Sequence, residues 1–146
     1  MKQFLLLSLC LGLLSTATAQ WSIGARFGGA SGISLKKYNS YRNSALEIIT
    51  GYDFDDKIEG FAISPMFEKM GSLTDRGNFA AFFGPGINLI FGDEFYFGAS
   101  AILGLDWRLG RIGLQVDWMP TYIFINESYF SSANGAFTVR WLFGRR

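Results

Sequence analysis

The chain of 146 residues contains no histidine, one cysteine and three prolines. Without histidine it has no Ser-His nucleophilic pair, no imidazole general base and no imidazole metal ligand. Paired carboxylates such as Asp106 and Asp117 are able to act as acid and base in other proteins, but here both lie close to arginine in a patterned segment. We expect them to be structural. The sequence therefore predicts no catalytic residue, no cofactor and no metal site.

The first 19 residues have the three parts of a secretory signal peptide. Met1 and Lys2 form a basic start, "FLLLSLCLGLL" is the apolar region, and Ala17-Thr18-Ala19 is a small-residue cleavage site. The apolar region is shorter than the roughly 20 residues of a membrane helix. The sole cysteine, Cys10, lies inside it and follows the bulky Leu9, which disfavours lipid attachment. We predict a signal peptide over 1–19 and one exported domain over 20–146 that has no disulfide.

After the predicted cleavage, the domain has no excess of positive or negative charge. Without Lys2, the domain has 12 basic and 12 acidic residues, so nothing predicts an electrostatic nucleic-acid partner. Long apolar runs are also missing after Ala19, although aromatic residues make up 17% of the chain and its mean hydropathy is +0.20. An exported, apolar chain without a membrane helix is typical of a β-barrel in an outer membrane.

Residues alternate between apolar and polar or small in eight segments, and a period of two is typical of β-strands. The segments are 21–27, 32–38, 45–52, 60–70, 78–90, 95–109, 112–119 and 133–143. The predicted fold is all-β, an eight-stranded antiparallel transmembrane β-barrel that follows a cleavable signal peptide. Pro65 and Pro85 lie within segments, and since proline cannot donate to a ladder we expect a β-bulge near each.

Side-chain volume indicates which face points inward. On the polar face, glycines and other small residues alternate with single long charged residues, as a narrow lumen requires. The apolar face carries too many aromatic rings for a small interior and fits lipid better. Several aromatic residues at segment ends are in the position of an interfacial girdle, namely Trp21, Tyr52, Trp118 and Phe143.

The predicted lumen contains four basic and four acidic residues. Moving an unpaired charge from water into a protein interior costs on the order of several kcal/mol, whereas paired charges are tolerated. The balance predicts a structural network of ion pairs that closes the lumen. Its members are Arg26, Lys36, Glu47, Glu68, Asp106, Arg108, Asp117 and Arg140.

Gly110-Arg111 fits a two-residue hairpin turn with glycine first, which a type II′ turn prefers. This turn predicts that Asp106 lies opposite Gln115, Asp117 opposite Gly104, and Arg108 opposite Gly113.

The connections differ in length and charge. In outer-membrane barrels the short turns and both termini face the periplasm, and the long loops face outward. The outer connections are then acidic and have one basic residue, Lys57; their acidic residues are Asp53, Asp55, Asp56, Glu59, Asp93, Glu94 and Glu127. The inner connections are basic and have one acidic residue, Asp75; their basic residues are Lys37, Arg42, Lys69, Arg76, Arg111, Arg145 and Arg146. The acidic loop with Asp53, Asp55, Asp56 and Glu59 and the predicted long loop 121–132 with Tyr122, Phe124, Tyr129 and Phe130 are interaction candidates.

Several stretches carry a family resemblance: "NSALEIITGY", "MFEK", "FFGPGIN", "ILGLDWRL", "LQVDWMP" and "FTVRWLF". Together they resemble the small outer-membrane β-barrel proteins of Bacteroidetes, of the OmpA-like and OmpX-like eight-stranded class. The resemblance covers essentially the whole chain after residue 19 and implies an outer-membrane barrel with periplasmic termini. The chain departs from that pattern by ending in "FGRR" instead of at an aromatic residue.

The sequence leaves three functions open. The first is a closed structural or interaction barrel of the cell envelope whose partners are outer-membrane lipid, lipopolysaccharide or other envelope proteins. The second is a narrow channel or a barrel that assists transport. The third is a soluble exported barrel that binds an apolar ligand.

Overall fold

The computed structural model of the protein describes residues 20–29, 31–52, 59–125, 128–132 and 134–144. Within these ranges the regular elements are all strands, and no helix there is long and apolar enough to span a membrane. The predicted signal peptide lies outside the described residues. The strands are β1 (Gln20–Gly28), β2 (Ser31–Tyr38), β3 (Ser44–Tyr52), β4 (Phe61–Ser72), β5 (Phe79–Phe91), β6 (Phe95–Leu109), β7 (Ile112–Trp118), β8 (Thr121–Ile125), β9 (Tyr129–Ser131) and β10 (Gly135–Phe143).

Eight of these strands form a closed antiparallel barrel. Strands β1 to β7 pair in sequence order, and β10 pairs with both β7 and β1. Trp21 near the start of β1 lies opposite Phe143 at the end of β10, so both ends of the described chain lie at one end of the barrel. We call this the terminal end and the opposite one the far end. Because the ring is closed, each of its strands has a paired neighbour on both sides. The predicted eight-stranded barrel is confirmed.

Burial alternates along each strand, and the buried face is the polar one. In β10 the buried residues include Thr138 and Arg140, while Phe137, Val139 and Trp141 are exposed. Apolar residues also point inward, which the sequence reasoning did not predict: Ile49, Met66, Phe82, Ile90, Ile102 and Ile123 are almost completely buried. The interior is therefore a polar layer packed between apolar side chains, inside an apolar outer surface.

The β6–β7 hairpin has the predicted register. Asp106 lies opposite Gln115, Gly104 opposite Asp117, and Arg108 opposite Gly113. Gly110 has a φ of +66°, and Arg111 is not among the non-glycine residues with positive φ. Positive φ at the first central residue alone is the pattern of a type II′ turn, which explains why glycine is needed there.

Residues 121–132 are not the long loop that we expected. Tyr122 and Phe124 lie in β8, and Tyr129 and Phe130 lie in β9. Strand β8 continues the path of β7 along β6 after a break at Met119 and Pro120. The β-branched and aromatic residues of "TYIFI" were the missed signal, because such residues favour strands. Trp118 consequently lies beside this break rather than at a rim, and its Nε1 donates to the Ser132 carbonyl oxygen at 2.7 Å.

The expected β-bulges at the two prolines are absent from the described strands. On both sides of Met66 the pairing of β4 with β5 is interrupted, yet the register is unchanged from Phe61 opposite Phe91 to Ser72 opposite Ala80. Pro65 and Pro85 thus remove ladder hydrogen bonds without inserting a residue. A register shift occurs instead between Phe97 and Gly98, where β6 meets β8.

We expect Gly84→Ala to lower the free energy of unfolding by about 1 to 3 kcal/mol. A Cβ at Gly84 would overlap the backbone oxygen of Phe67 on β4, so the two strands would have to separate. Gly71→Ala is the matched control on the same pair of strands, because a Cβ there has no neighbour within 4 Å. Urea unfolding in detergent micelles measures both variants. Equal stability of the two would contradict the close strand approach at Gly84.

Candidate functional site

All eight charged residues predicted for the lumen are buried there. They come from seven strands, and each is at most 6% exposed. We refer to them as the lumen charge network: Arg26, Lys36, Glu47, Glu68, Asp106, Arg108, Asp117 and Arg140. Seven of them form ion pairs, and the side chains in those pairs have 0% exposure. Arg108 is the one member without an ion pair among the described residues.

Glu47 and Arg140 form the first pair of the network. Arg140 Nη2 lies 3.0 Å from Glu47 Oε1, and the same carboxylate oxygen accepts a short hydrogen bond from the Ser34 hydroxyl. The Arg140 side chain also donates through Nη1 to the hydroxyl oxygens of Ser22, at 3.3 Å, and Ser34, at 3.4 Å. The guanidinium is thus held by strands on both sides of it.

Lys36 is surrounded by three carboxylates. Its Nζ lies 2.6 Å from Glu68 Oε2, 3.7 Å from Asp106 Oδ2 and 3.8 Å from Glu47 Oε2. The ammonium also lies 4.4 Å from the centroid of the Phe82 ring, a cation–π distance. A compact ammonium can face several acceptors at once, whereas a planar guanidinium is restricted to its own plane.

Gln115 joins the pairs to one another. Its Oε1 accepts from Lys36 Nζ at 3.0 Å and from Arg140 Nη2 at 2.6 Å. Its Nε2 donates to Asp117 Oδ2 at 3.1 Å and to Glu47 Oε2 at 3.3 Å. A neutral amide has both donor and acceptor groups, so it can satisfy cations and anions without changing the net charge. The sequence reasoning placed Gln115 inward but did not include it in the network.

Arg26 and Asp117 form a bidentate pair. Arg26 Nη1 lies 2.6 Å from Asp117 Oδ2, and Nη2 lies 2.9 Å from Oδ1. Two parallel charge-assisted hydrogen bonds give this pair both strength and a defined orientation. Gln115 links it to the rest of the network through the shared Asp117 oxygen.

Arg108 differs from the other members because it forms no ion pair within the described residues. Its Nη2 donates to the Gly77 carbonyl oxygen at 2.8 Å, and its guanidinium carbon lies 5.1 Å from the centroid of the Tyr38 ring. The Tyr38 hydroxyl donates to Asp106 Oδ2 at 2.8 Å. The tyrosine therefore lies between Arg108 and the carboxylate nearest to it in sequence.

Glycines provide the room for these long side chains, as predicted. Arg140 lies between Gly24 on β1 and Gly113 on β7. A Cβ at Gly113 would lie 2.6 Å from Arg140 Cγ, and one at Gly24 would lie 2.9 Å from Arg140 Cβ. Because both neighbours lack a side chain, the arginine can lie across them in a narrow lumen.

A second, uncharged hydrogen-bond chain crosses the lumen towards the far end. Ser64 Oγ donates to Asn88 Oδ1 at 2.6 Å, and the Asn88 amide makes a short hydrogen bond to Ser100. Ser100 and Thr121 share a hydroxyl hydrogen bond of 2.6 Å. Together with the ion pairs, these contacts fill the lumen with side chains that bond to one another across neighbouring strands. The arrangement is suited to holding strands together.

The predicted outer interaction residues are only partly described. Asp53, Asp55 and Asp56 lie outside the described residues, and Glu59 is exposed next to them. Tyr122, Phe124 and Phe130 are exposed on the β8–β9 hairpin, and Tyr129 is partly buried against the core. The structure brings the four aromatic residues together on one hairpin and does not describe the acidic loop with them.

We expect Arg26→Met to lower the free energy of unfolding by about 3 to 5 kcal/mol, because Asp117 then remains buried without its cation. Adding Asp117→Asn should restore most of this loss, since no unpaired charge is left and the amide can still bond to Gln115. Urea unfolding in micelles measures both. Arg111→Ala, at an exposed turn, is the control and should change stability by less than about 0.5 kcal/mol. A double variant as unstable as the single one would contradict the charge argument.

Comparison of the chain with protein-family models, curated proteins and solved structures gives no match. Its function is therefore argued from the barrel and its lumen.

Proposed function

We propose that the protein is a small barrel of the bacterial outer membrane, exported by its signal peptide, with a closed, ion-paired lumen and a structural or loop-mediated interaction role in the cell envelope. The observation that carries the proposal is the combination of fully buried ion pairs inside and a continuous apolar surface outside. A water-exposed barrel is normally arranged the opposite way, with its apolar residues inside.

The outer surface supports a lipid environment. Large apolar side chains are exposed on all eight strands of the ring, among them Phe27, Leu46, Phe83, Leu103, Val116 and Phe143 at 50 to 61%. Soluble monomers rarely expose contiguous apolar patches of more than a few hundred Å². In a lipid bilayer, the acyl chains contact such a surface and keep it away from water.

Aromatic residues are concentrated near the two ends of this surface. Near the terminal end they are Trp21, Trp107, Trp141 and Phe143, and near the far end Phe27, Tyr52, Phe61, Phe91 and Phe95. Between them lie exposed aliphatic residues such as Ile33, Leu103 and Leu105, with Phe67, Phe83 and Trp118 among them. Two aromatic girdles around an aliphatic band are typical of transmembrane barrels.

The filled lumen favours a closed barrel over a channel. The side chains of Arg26, Lys36 and Arg140 and of their acidic partners are fully buried, so they leave no water-filled path between them. The soluble barrel with an apolar ligand is disfavoured by the same lumen, because its centre holds charges where such a ligand would need apolar walls.

The far end is where we place contacts with lipopolysaccharide or other envelope proteins. The β8–β9 hairpin extends from β6 there, and Phe130 is 61% exposed while Tyr122 is 45% exposed. The Tyr122 and Ser128 hydroxyls share a hydrogen bond of 2.7 Å. Aromatic side chains on a paired hairpin present an ordered apolar contact surface at low entropic cost.

Cell fractionation tests the location. We expect the chain to sediment with outer membranes, to require detergent for extraction, and to migrate differently on gels with and without heating, because a closed barrel resists unfolding in detergent. A periplasmic protein known to be soluble serves as the control for cell lysis. Recovery of the chain in a soluble fraction without detergent would overturn the membrane assignment.

Planar-bilayer recording tests the closed lumen. We expect the refolded protein to give no steady conductance, because the fully buried ion pairs obstruct the lumen. The Arg26→Ala, Asp117→Ala double variant, which removes one complete pair and its volume, should give at least intermittent conductance. Steady, salt-dependent conductance of the unmodified protein that vanishes on neutralising Arg108 or Asp106 would support a channel instead.

A further inference from the structure

A pocket of about 330 Å³ opens at the terminal end of the barrel. Three arginines line it together with two amide side chains and the end of the β6–β7 hairpin: Arg42, Arg76, Arg108, Asn78 and Gln20. The volume is at the lower end of the range for small-molecule sites. None of the lining residues is acidic.

Arg108 has hydrogen-bonding capacity that the protein does not use. It is 6% exposed, and within the described residues its Nε and Nη1 have no hydrogen-bond partner; among the other lumen arginines, only one nitrogen each of Arg26 and Arg140 has none. Only Nη2 is occupied, by the Gly77 carbonyl oxygen. Buried N–H groups are normally satisfied, and an unsatisfied charged donor is costly. Because Arg108 also lines the pocket, these two donors are available to an acceptor from outside the described chain.

The other two arginines reach the pocket from separate connections. Arg76 is exposed in the connection between β4 and β5, whose backbone is held against the barrel end by a hydrogen bond from Arg108 N to the Asn78 carbonyl oxygen, at 2.7 Å. Arg42 lies in the turn between β2 and β3, where Asn39 Oδ1 accepts from the Asn43 amide at 3.0 Å. These hydrogen bonds hold the backbone of both connections, so no disordered segment has to fold to complete the pocket.

The pocket lies in a basic environment. Near it at the terminal end, the described chain also has Lys37, Lys69 and Arg111, and Asp75 is the one acidic residue in the described connections there. Counted with Arg108, the lumen network has four basic and four acidic residues, so it leaves the charges of Arg42, Arg76 and the surrounding cations without compensation. An anion entering from the terminal end meets cations first.

We propose that this pocket binds a phosphate group, carried either by a free phosphate compound or by the headgroup of a lipid. Phosphate suits it better than a single carboxylate does, because three guanidiniums, two from connections and one from the end of β6, can each donate to a different oxygen of a tetrahedral dianion. Asn78 adds a donor, since its Oδ1 accepts from Thr74 Oγ1 at 2.7 Å and its NH₂ group can face the pocket. The space left around a phosphate accommodates a small organic substituent.

Calorimetric titration of inorganic phosphate and of glycerol phosphate into the full-length domain tests this proposal. The protein is refolded in maltoside micelles in a buffer without phosphate or sulfate. We expect saturable binding at one site. Arg76→Ala and Arg108→Gln should each weaken it about tenfold or more, the effect of losing one charge-assisted hydrogen bond. Arg76 is exposed, so its variant keeps the test valid even if Arg108→Gln does not fold.

Arg111→Ala is the matched control. It removes a cation at the same end of the barrel but outside the pocket, so it should leave the affinity within about twofold, the size of a screened surface-charge effect. Phosphatidic acid added to the micelles distinguishes a lipid headgroup from a free phosphate compound. If phosphatidic acid prevents inorganic phosphate from binding to the unmodified protein, the pocket binds a lipid headgroup. If glycerol phosphate binds equally well with and without phosphatidic acid, the pocket binds a free phosphate compound.

Three results would overturn the proposal. One is no saturable binding of either phosphate compound and no competition by phosphatidic acid. Another is unchanged affinity in folded Arg76→Ala and Arg108→Gln variants. The third is equal weakening by Arg111→Ala, which would make the binding a general effect of positive charge. The outcome does not depend on whether the lumen conducts ions.

Discussion

Eight ionisable side chains share a lumen too narrow for water to solvate them. Each of these charges would be costly to bury alone, so the strands are constrained to the arrangement in which cations and anions meet. Gln115 makes this possible, because its amide bonds to Lys36, Arg140, Glu47 and Asp117 and so joins separate pairs into one network. The rest of the barrel is arranged around that network.

The first consequence concerns the strands that hold it. A long side chain can cross the lumen only where its neighbours are small, which is why Gly24 and Gly113 flank Arg140. The second concerns the outer surface. Since a strand presents alternate residues to opposite sides, a polar interior leaves the apolar residues on the outer surface of the barrel. The polar interior and the apolar outer surface therefore both result from the same alternation along the strands.

The two ends of the barrel differ in how far this arrangement extends. Towards the far end, neutral hydrogen bonds and apolar side chains such as Ile90 and Ile123 replace the ion pairs. At the terminal end, Tyr38 separates Arg108 from Asp106, so one cation remains without an anion of the described chain. The balance of charge that closes the middle of the lumen is therefore broken at one rim, and the arginine pocket lies there.

The sequence by itself determined the strand count of the ring, the inward face, the β6–β7 register and the set of buried charges, because alternation, glycine placement and turn chemistry are local properties. It did not reveal the β8–β9 hairpin, since a short apolar run beside Pro120 also fits a loop. Which cation meets which anion was decided only by tertiary structure: Arg26 and Asp117 are 91 residues apart and meet only when the barrel closes. The same holds for the three pocket arginines. Arg42 and Arg76 lie on two separate connections and Arg108 lies near the end of β6, and antiparallel order brings these places to one end of the barrel.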